Sequence, residues 1–223
     1  MSRRMIFPVL MGLIGVLVLC SLGIWQVQRM HWKAGVLAEI NAMIGATPVA
    51  LPAQPDPLTD KYRPVSLEGR FSGDTIEVLS GTKEDGPGVR VIAAFETRDG
   101  RRVMIDRGFV AEDSRGTPFA VTDAKIIGNL HWPKDGDAYT PPPDPKSGMW
   151  FARDVAAMAA VLHTEPTLIV ASAPTGDAIQ PMPVDTSSIP NDHWGYAITW
   201  FSLAAVWAGM TGYLLWRIRR KTV

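Results

Sequence analysis

The stretch Asn191-Asp192-His193-Trp194-Gly195-Tyr196-Ala197-Ile198-Thr199-Trp200-Phe201 decides the fold, because it opens an apolar run without a charged side chain from Trp194 to Trp216. At a helical rise of ~1.5 Å per residue, such a run spans roughly 34 Å and crosses a hydrocarbon core of about 30 Å. Ser188 with Pro190 in the first turn, or Asn191 or Asp192 for a shorter helix, is expected to cap it. His193 then stands in the first turn. The positive end of a helix disfavours imidazolium there, so the ring keeps a nitrogen lone pair. With 3.6 residues per turn, Tyr196, Ala197 and Trp200 share its face. Two readings stand open. Histidine and tryptophan gather at membrane–water interfaces as anchors, one end apolar and the other wet. A polar nitrogen above a small residue and two aromatics is also an edge for a flat, apolar, iron-containing ring, the lesser of the two readings on the residues alone.

Working outward, the other apolar run is at the opposite end of the chain. After Arg3-Arg4, no residue from Met5 to Gln28 is charged. This run exceeds the ~7–15 residues of a signal-peptide core, so it is read as an uncleaved first span, despite a small-x-small pattern at Ser21-Leu22-Gly23. Leu19 before Cys20 does not fit a lipoprotein signal. Trp25, Arg29 and Trp32 at i, i+4 and i+7 share a helical face, the pattern of an aromatic belt with a snorkelling arginine. Trp25, Gln26 and Arg29 are therefore assigned to the membrane interface or to a partner. Gly12, Gly15 and Gly23 on the first run, and Ala204, Ala208 and Gly212 on the second, are small-residue stripes suited to helix packing in lipid.

Charge orders these parts. Arg3, Arg4, Arg217, Arg219, Arg220 and Lys221 lie outside the two runs with no acidic residue beside them. The other 16 basic residues share the middle with all 22 acidic ones, a net charge of −6. The C-terminal cluster places that end in the cytoplasm or matrix, and two spans bring the N-terminus to the same side. Arg29 and Lys33 pull weakly the other way. An acidic external domain argues against nucleic acid. Cys20, the sole cysteine, excludes an intrachain disulfide.

Between the runs the first helix is expected to continue to Ala42 and give way to a linker rich in proline (Pro48, Pro52, Pro55, Pro57). Strands follow over 62–69 and 75–79, separated by a Ser72-Gly73-Asp74 turn. Two more, 89–97 and 102–110, flank an Asp99-Gly100 hairpin turn. Further strands are read over 124–130 and 167–171, with one helix over 153–163 burying Val155, Met158, Ala159 and Leu162. Asp106-Arg107 reads as an ion pair at a sheet edge. The expected fold is a membrane protein of the α+β class. Transmembrane helices over 5–28 and 191–216 flank an extracytoplasmic antiparallel β domain over 61–190, barrel- or sandwich-like, with one helix. A helical extension and Pro-rich linker fill 29–60, and a basic tail ends the chain at 217–223. No phosphate loop, Gly-x-Ser-x-Gly, His-Glu-x-x-His or paired cysteine occurs, so no catalytic centre is read. His31, His131 and His163 are expected at the surface.

At this point the motifs resemble those of a known family. Leu22-Gly23-x-Trp25-Gln26-x-x-Arg29-x-x-Trp32-Lys33 resembles the first-helix signature of the Surfeit-locus (Surf/Shy) cytochrome c oxidase assembly proteins. Asn191-Asp192-His193-x-Gly195-Tyr196-Ala197-x-Thr199-Trp200-Phe201 resembles their second-helix signature. Tyr62-x-x-Val65-x-x-x-Gly69-x-Phe71, Val103-x-Ile105-Asp106-Arg107-Gly108-Phe109-Val110 and Trp150-x-x-x-Asp154 fall between them in the family's order. The resemblance implies a non-enzymatic assembly factor for a haem–copper terminal oxidase, binding haem a and aiding its insertion into oxidase subunit I. It implies His193 as haem-iron ligand with Tyr196 and Trp200 beside the macrocycle, and haem a synthase, subunit I and the lipid bilayer as partners. A short N-terminus without an Arg/Ser-rich amphipathic segment favours a bacterial inner membrane. Two other classes are weighed beside it: an anchor that tethers oxidase intermediates without haem, and a membrane haem oxidoreductase.

Overall fold

The computed structural model describes residues 3–82, 86–116, 119–187 and 189–221. In chain order the elements are α1 (Arg3–Ile44), β1 (Val49–Ala50), β2 (Pro64–Thr82), β3 (Gly86–Thr97), β4 (Arg102–Ala111), β5 (Asp123–Leu130), α2 (Val155–Leu162), β6 (Leu168–Ala171) and α3 (His193–Lys221). They divide into two compact units. One is Met1–Glu39 with Thr186–Val223, the other Ile40–Asp185.

The first unit is a helix pair. Leu10, Leu13 and Leu17 on α1, and Leu203, Val206 and Met210 on α3, are exposed apolar side chains. A helix with apolar residues all round has no water-facing side. Both helices are long and apolar enough to cross a membrane. Gly12 lies against Thr211, Gly15 against the Trp207 indole and Gly23 against the Phe201 ring, where an added Cβ would sit 2.7 Å from the ring. Positions rising along α1 meet positions falling along α3, so the pair is antiparallel. The α1 glycine stripe is thus the packing face. On α3 the expected stripe is corrected: Ala204 is buried, but Ala208 and Gly212 are exposed. Ala197, Ala204 and Thr211, seven residues apart, turn inward instead. A seven-residue repeat tracks a partner helix along its length, whereas a strict four-residue repeat drifts off that seam.

The second unit is a mixed sheet whose ladders close on themselves. β2 pairs with β3, β3 with β4, β4 with β6, β6 with β5, and β5 returns to β2. A wholly antiparallel sheet was expected, and β4–β6 is parallel, as is β1–β2. The cause is the connection: a helical crossover through α2 lets β6 enter alongside β4 in the same direction, which a tight hairpin cannot do. The expected turn at Ser72-Gly73-Asp74 is also corrected. It is a bulge inside one 19-residue strand, with the register shifting between Phe71 and Thr75 and Gly73 at φ +92°. The bulge bends β2, so its Pro64–Arg70 half pairs with β5 while Gly69–Thr82 pairs with β3.

Both faces of β3, β4 and β6 are buried along most of their length. Ala93 and Phe95 of β3, Val103 and Ile105 of β4 and Ile169 of β6 meet Val65, Phe71, Ile126 and Leu130 in one layer. Their alternates, Ile92, Ala94, Met104 and Leu168, meet Val155, Met158, Ala159 and Leu162 of α2 in the other. The four helix residues are those the periodicity selects. Asp154 caps α2, its carboxylate accepting from the N–H groups of Ala156 and Ala157 at 3.1 Å each. The last turn of α1 is held by Asn129, whose amide donates to the carbonyls of Ile44 (3.0 Å) and Tyr62 (2.9 Å).

Candidate functional site

His193 is the first residue of α3, and the carbonyl of Asp192 accepts from the N–H of Tyr196 at 3.4 Å. Asp192 therefore stands at the cap position and Pro190 outside the helix, where its carbonyl accepts from the Lys33 ammonium. Ser188, the other capping candidate, lies outside the described residues. One turn beyond Gly23, Gln26 faces α3 and is buried, 9% exposed. Its Oε1 is 2.8 Å from Nδ1 of His193, a bond between residues 167 positions apart. A carboxamide oxygen only accepts. Nδ1 is therefore the donor in this bond and carries a proton. Among the described residues Nε2 has no hydrogen-bond partner. Two positions before the histidine, Oδ1 of Asn191 is buried and without a hydrogen-bond partner among the described residues.

The residues expected around His193 separate by environment. Ala197 is buried and Trp200 half-buried, whereas Tyr196 is 60% exposed. The first-helix set separates too. Trp25 and Arg29 are exposed with Trp32, and the Arg29 guanidinium stands 4.1 Å above the Trp32 ring. Gln26 points the other way. Sequence reasoning missed its link to His193, although a signal was present: Gly23 and Gln26 at i and i+3 lie on one helical face, and that face carries the glycine stripe.

The β unit buries charge differently. Asp106, fully buried, accepts from Arg90 (Nε 3.0 Å) and from Arg153 (Nη1 3.2 Å), while Arg153 also reaches Asp135 at 2.6 Å. Arg107, 1% exposed, donates to Thr175 and to Asp177 at 2.9 Å and lies over the Phe71 ring at 4.4 Å. Asp106-Arg107 is thus not an ion pair at a sheet edge: β4 lies between β3 and β6, and each residue has its own buried partners. His163 is exposed and caps α2 in a left-handed conformation. His131, expected at the surface, is half-buried and stacks on Tyr62, with Nδ1 buried and unpartnered among the described residues. Burial, aided by the charge of Arg153, pushes its pKa down to about 4. No described side chains in this unit form a group of three or more His, Cys, Asp or Glu suited to a metal ion.

Known proteins are similar to this chain in sequence over most of its length. Surfeit locus protein 1 of Rattus norvegicus is 28% identical over 220 residues, covering 88% of this chain and 71% of that protein. Surfeit locus protein 1 of Homo sapiens is 29% identical over 218 residues, covering 87% and 71%. A SURF1-like protein of Monosiga brevicollis is 30% identical over 216 residues, covering 87% and 82%. The model of the SURF1 family matches residues 13–205, which take in Gln26, the whole β unit and His193. The chain belongs to the SURF1 family.

Proposed function

We propose that this chain is an assembly factor for a haem–copper terminal oxidase, binding haem a through His193 and aiding its insertion into oxidase subunit I. Family membership supports the assembly role. The observation that carries the haem reading is the His193–Gln26 pair: Nδ1 is engaged, and Nε2 has no hydrogen-bond partner among the described residues. Haem iron accepts such a nitrogen directly. The cargo is large, flat and apolar, and the surroundings of His193 suit it: half-buried Trp200 and exposed Tyr196 offer aromatic surface. The role is to bind, shield and hand over, so no catalytic residue is assigned.

The two apolar helices cross a bacterial inner membrane in this reading, with both termini cytoplasmic and the β domain periplasmic, following the basic C-terminal cluster. Haem a synthase supplies the cargo and subunit I receives it. The exposed Trp25–Arg29–Trp32 face of α1 is suited to docking subunit I, the partner that receives the cargo. Co-expression with the enzymes of haem a synthesis and purification in detergent tests the proposal. A haem a absorption spectrum should travel with the protein. Purified protein free of haem would leave a structural anchor for oxidase intermediates as the better reading.

A further inference from the structure

We infer that Gln26 is a positioning residue for His193, fixing the imidazole as the Nδ1–H tautomer so that Nε2 is the nitrogen offered to iron. The inference deepens the haem reading and rests on it for its consequence, but the tautomer itself is a property of the chain without cargo.

A neutral imidazole has two tautomers, and the hydrogen bond at one nitrogen decides which is present. Gln26 Oε1, at 2.8 Å from Nδ1, is an acceptor in a buried position, where an unmet polar group is costly. The two residues come from different helices. Gln26 reaches the ring because Gly23, one turn earlier, lets α1 approach Phe201 closely. The ligand nitrogen is thus presented by the packed helix pair, not by α3 alone. Lys33 donates to the Pro190 carbonyl and the Asp192 side chain is exposed, while Oδ1 of Asn191 is buried and makes no hydrogen bond to the ring.

The choice of glutamine has a chemical meaning. A second partner that accepts from the non-ligating nitrogen raises the basicity of the ligating one, and its loss typically costs ~10–100-fold in metal affinity. A carboxylate would draw the proton harder and make the imidazole a stronger, less releasable ligand. A neutral carboxamide fixes the same tautomer with a weaker pull, as transient cargo requires.

The test uses the full chain in detergent with 15N-labelled histidine, first without haem. The ring nitrogen shifts of His193 should show a protonated Nδ1 and a bare Nε2 in the wild type. Gln26→Glu, also an acceptor, should preserve that pattern, while Gln26→Leu should shift His193 towards the Nε2–H form. With haem a loaded, Gln26→Leu should retain it ~10–100-fold more weakly and Gln26→Glu should lower its reduction potential. A wild-type proton on Nε2, or an unchanged tautomer in Gln26→Leu, would overturn the inference. Should the tautomer behave as stated while His193→Ala keeps its haem, the haem reading fails and only the tautomer assignment stands.

Discussion

The Asp106–Arg107 region of the β domain and the Gln26–His193 pair of the helix unit bury polar groups differently. In the β domain, Asp106 is enclosed by the guanidinium groups of Arg90 and Arg153, and Arg107 is matched by Asp177 and Thr175. Each charge has its counter-charge, so these groups hold the domain together and have little left to offer a ligand. In the helix pair, Gln26 satisfies one nitrogen of His193 and leaves the other open. The difference teaches where to look for function: burial that uses up a group's bonding capacity is structural, and burial that directs an unused capacity outward is a site.

The sharpest way to break the first half of that comparison is to remove the buried charge. Asp106→Asn keeps the shape but leaves two half-buried arginines against a neutral amide. Breaking a buried pair costs roughly 3–5 kcal/mol. Chemical denaturation of the full chain should show the loss, and an unchanged midpoint would mean that the network contributes nothing to stability.

A smaller effect concerns pH. His131 ionises at about 4 in the folded chain, below its ordinary 6.5, because burial opposes the charged form. The unfolded chain binds the proton first. The stability that depends on neutral His131 is therefore complete above pH 6.5 and is lost as the pH falls towards 4. His131→Phe, which keeps a ring against Tyr62, should flatten unfolding midpoints across that window. Equal pH dependence in variant and wild type would contradict the assignment.

The smallest expected effect sharpens the contrast between buried and exposed charge. Arg98 and Glu68 form a 2.7 Å ion pair at the surface, 79% and 41% exposed. Arg98→Ala should change stability by less than ~1 kcal/mol, within the range of exposed pairs. A loss matching that of Asp106→Asn would remove burial as the deciding variable.

What the sequence disclosed follows the same physics. Long apolar runs and the i, i+3, i+4 face of α2 are local signals, and both reappear in the structure. The β2 bulge was hidden because Ser72-Gly73-Asp74 has turn chemistry, and only pairing to two different partners shows one continuous strand. The parallel β4–β6 ladder was hidden because strand direction depends on long-range assembly. At the candidate site, His193 was legible from its place at the mouth of an apolar run. Its partner was not, because Gln26 is 167 residues away and is embedded in a motif whose aromatic and charged members point outward. The residue that directs the histidine is set by helix pairing, which no local pattern records.

The most direct test of the account is the haem a content and absorption of purified His193→Ala, read against wild type at equal protein concentration after co-expression with the haem a synthesis enzymes. Arg29→Ala on the exposed face of α1 serves as the control. Removing the imidazole removes the proposed iron ligand and leaves the helix packing at Gly12, Gly15 and Gly23 in place, so the variant should insert and fold yet lose haem and show an altered spectrum. Arg29→Ala should keep both. Undiminished haem with an unaltered spectrum in His193→Ala would contradict the account and leave His193 as an interfacial anchor.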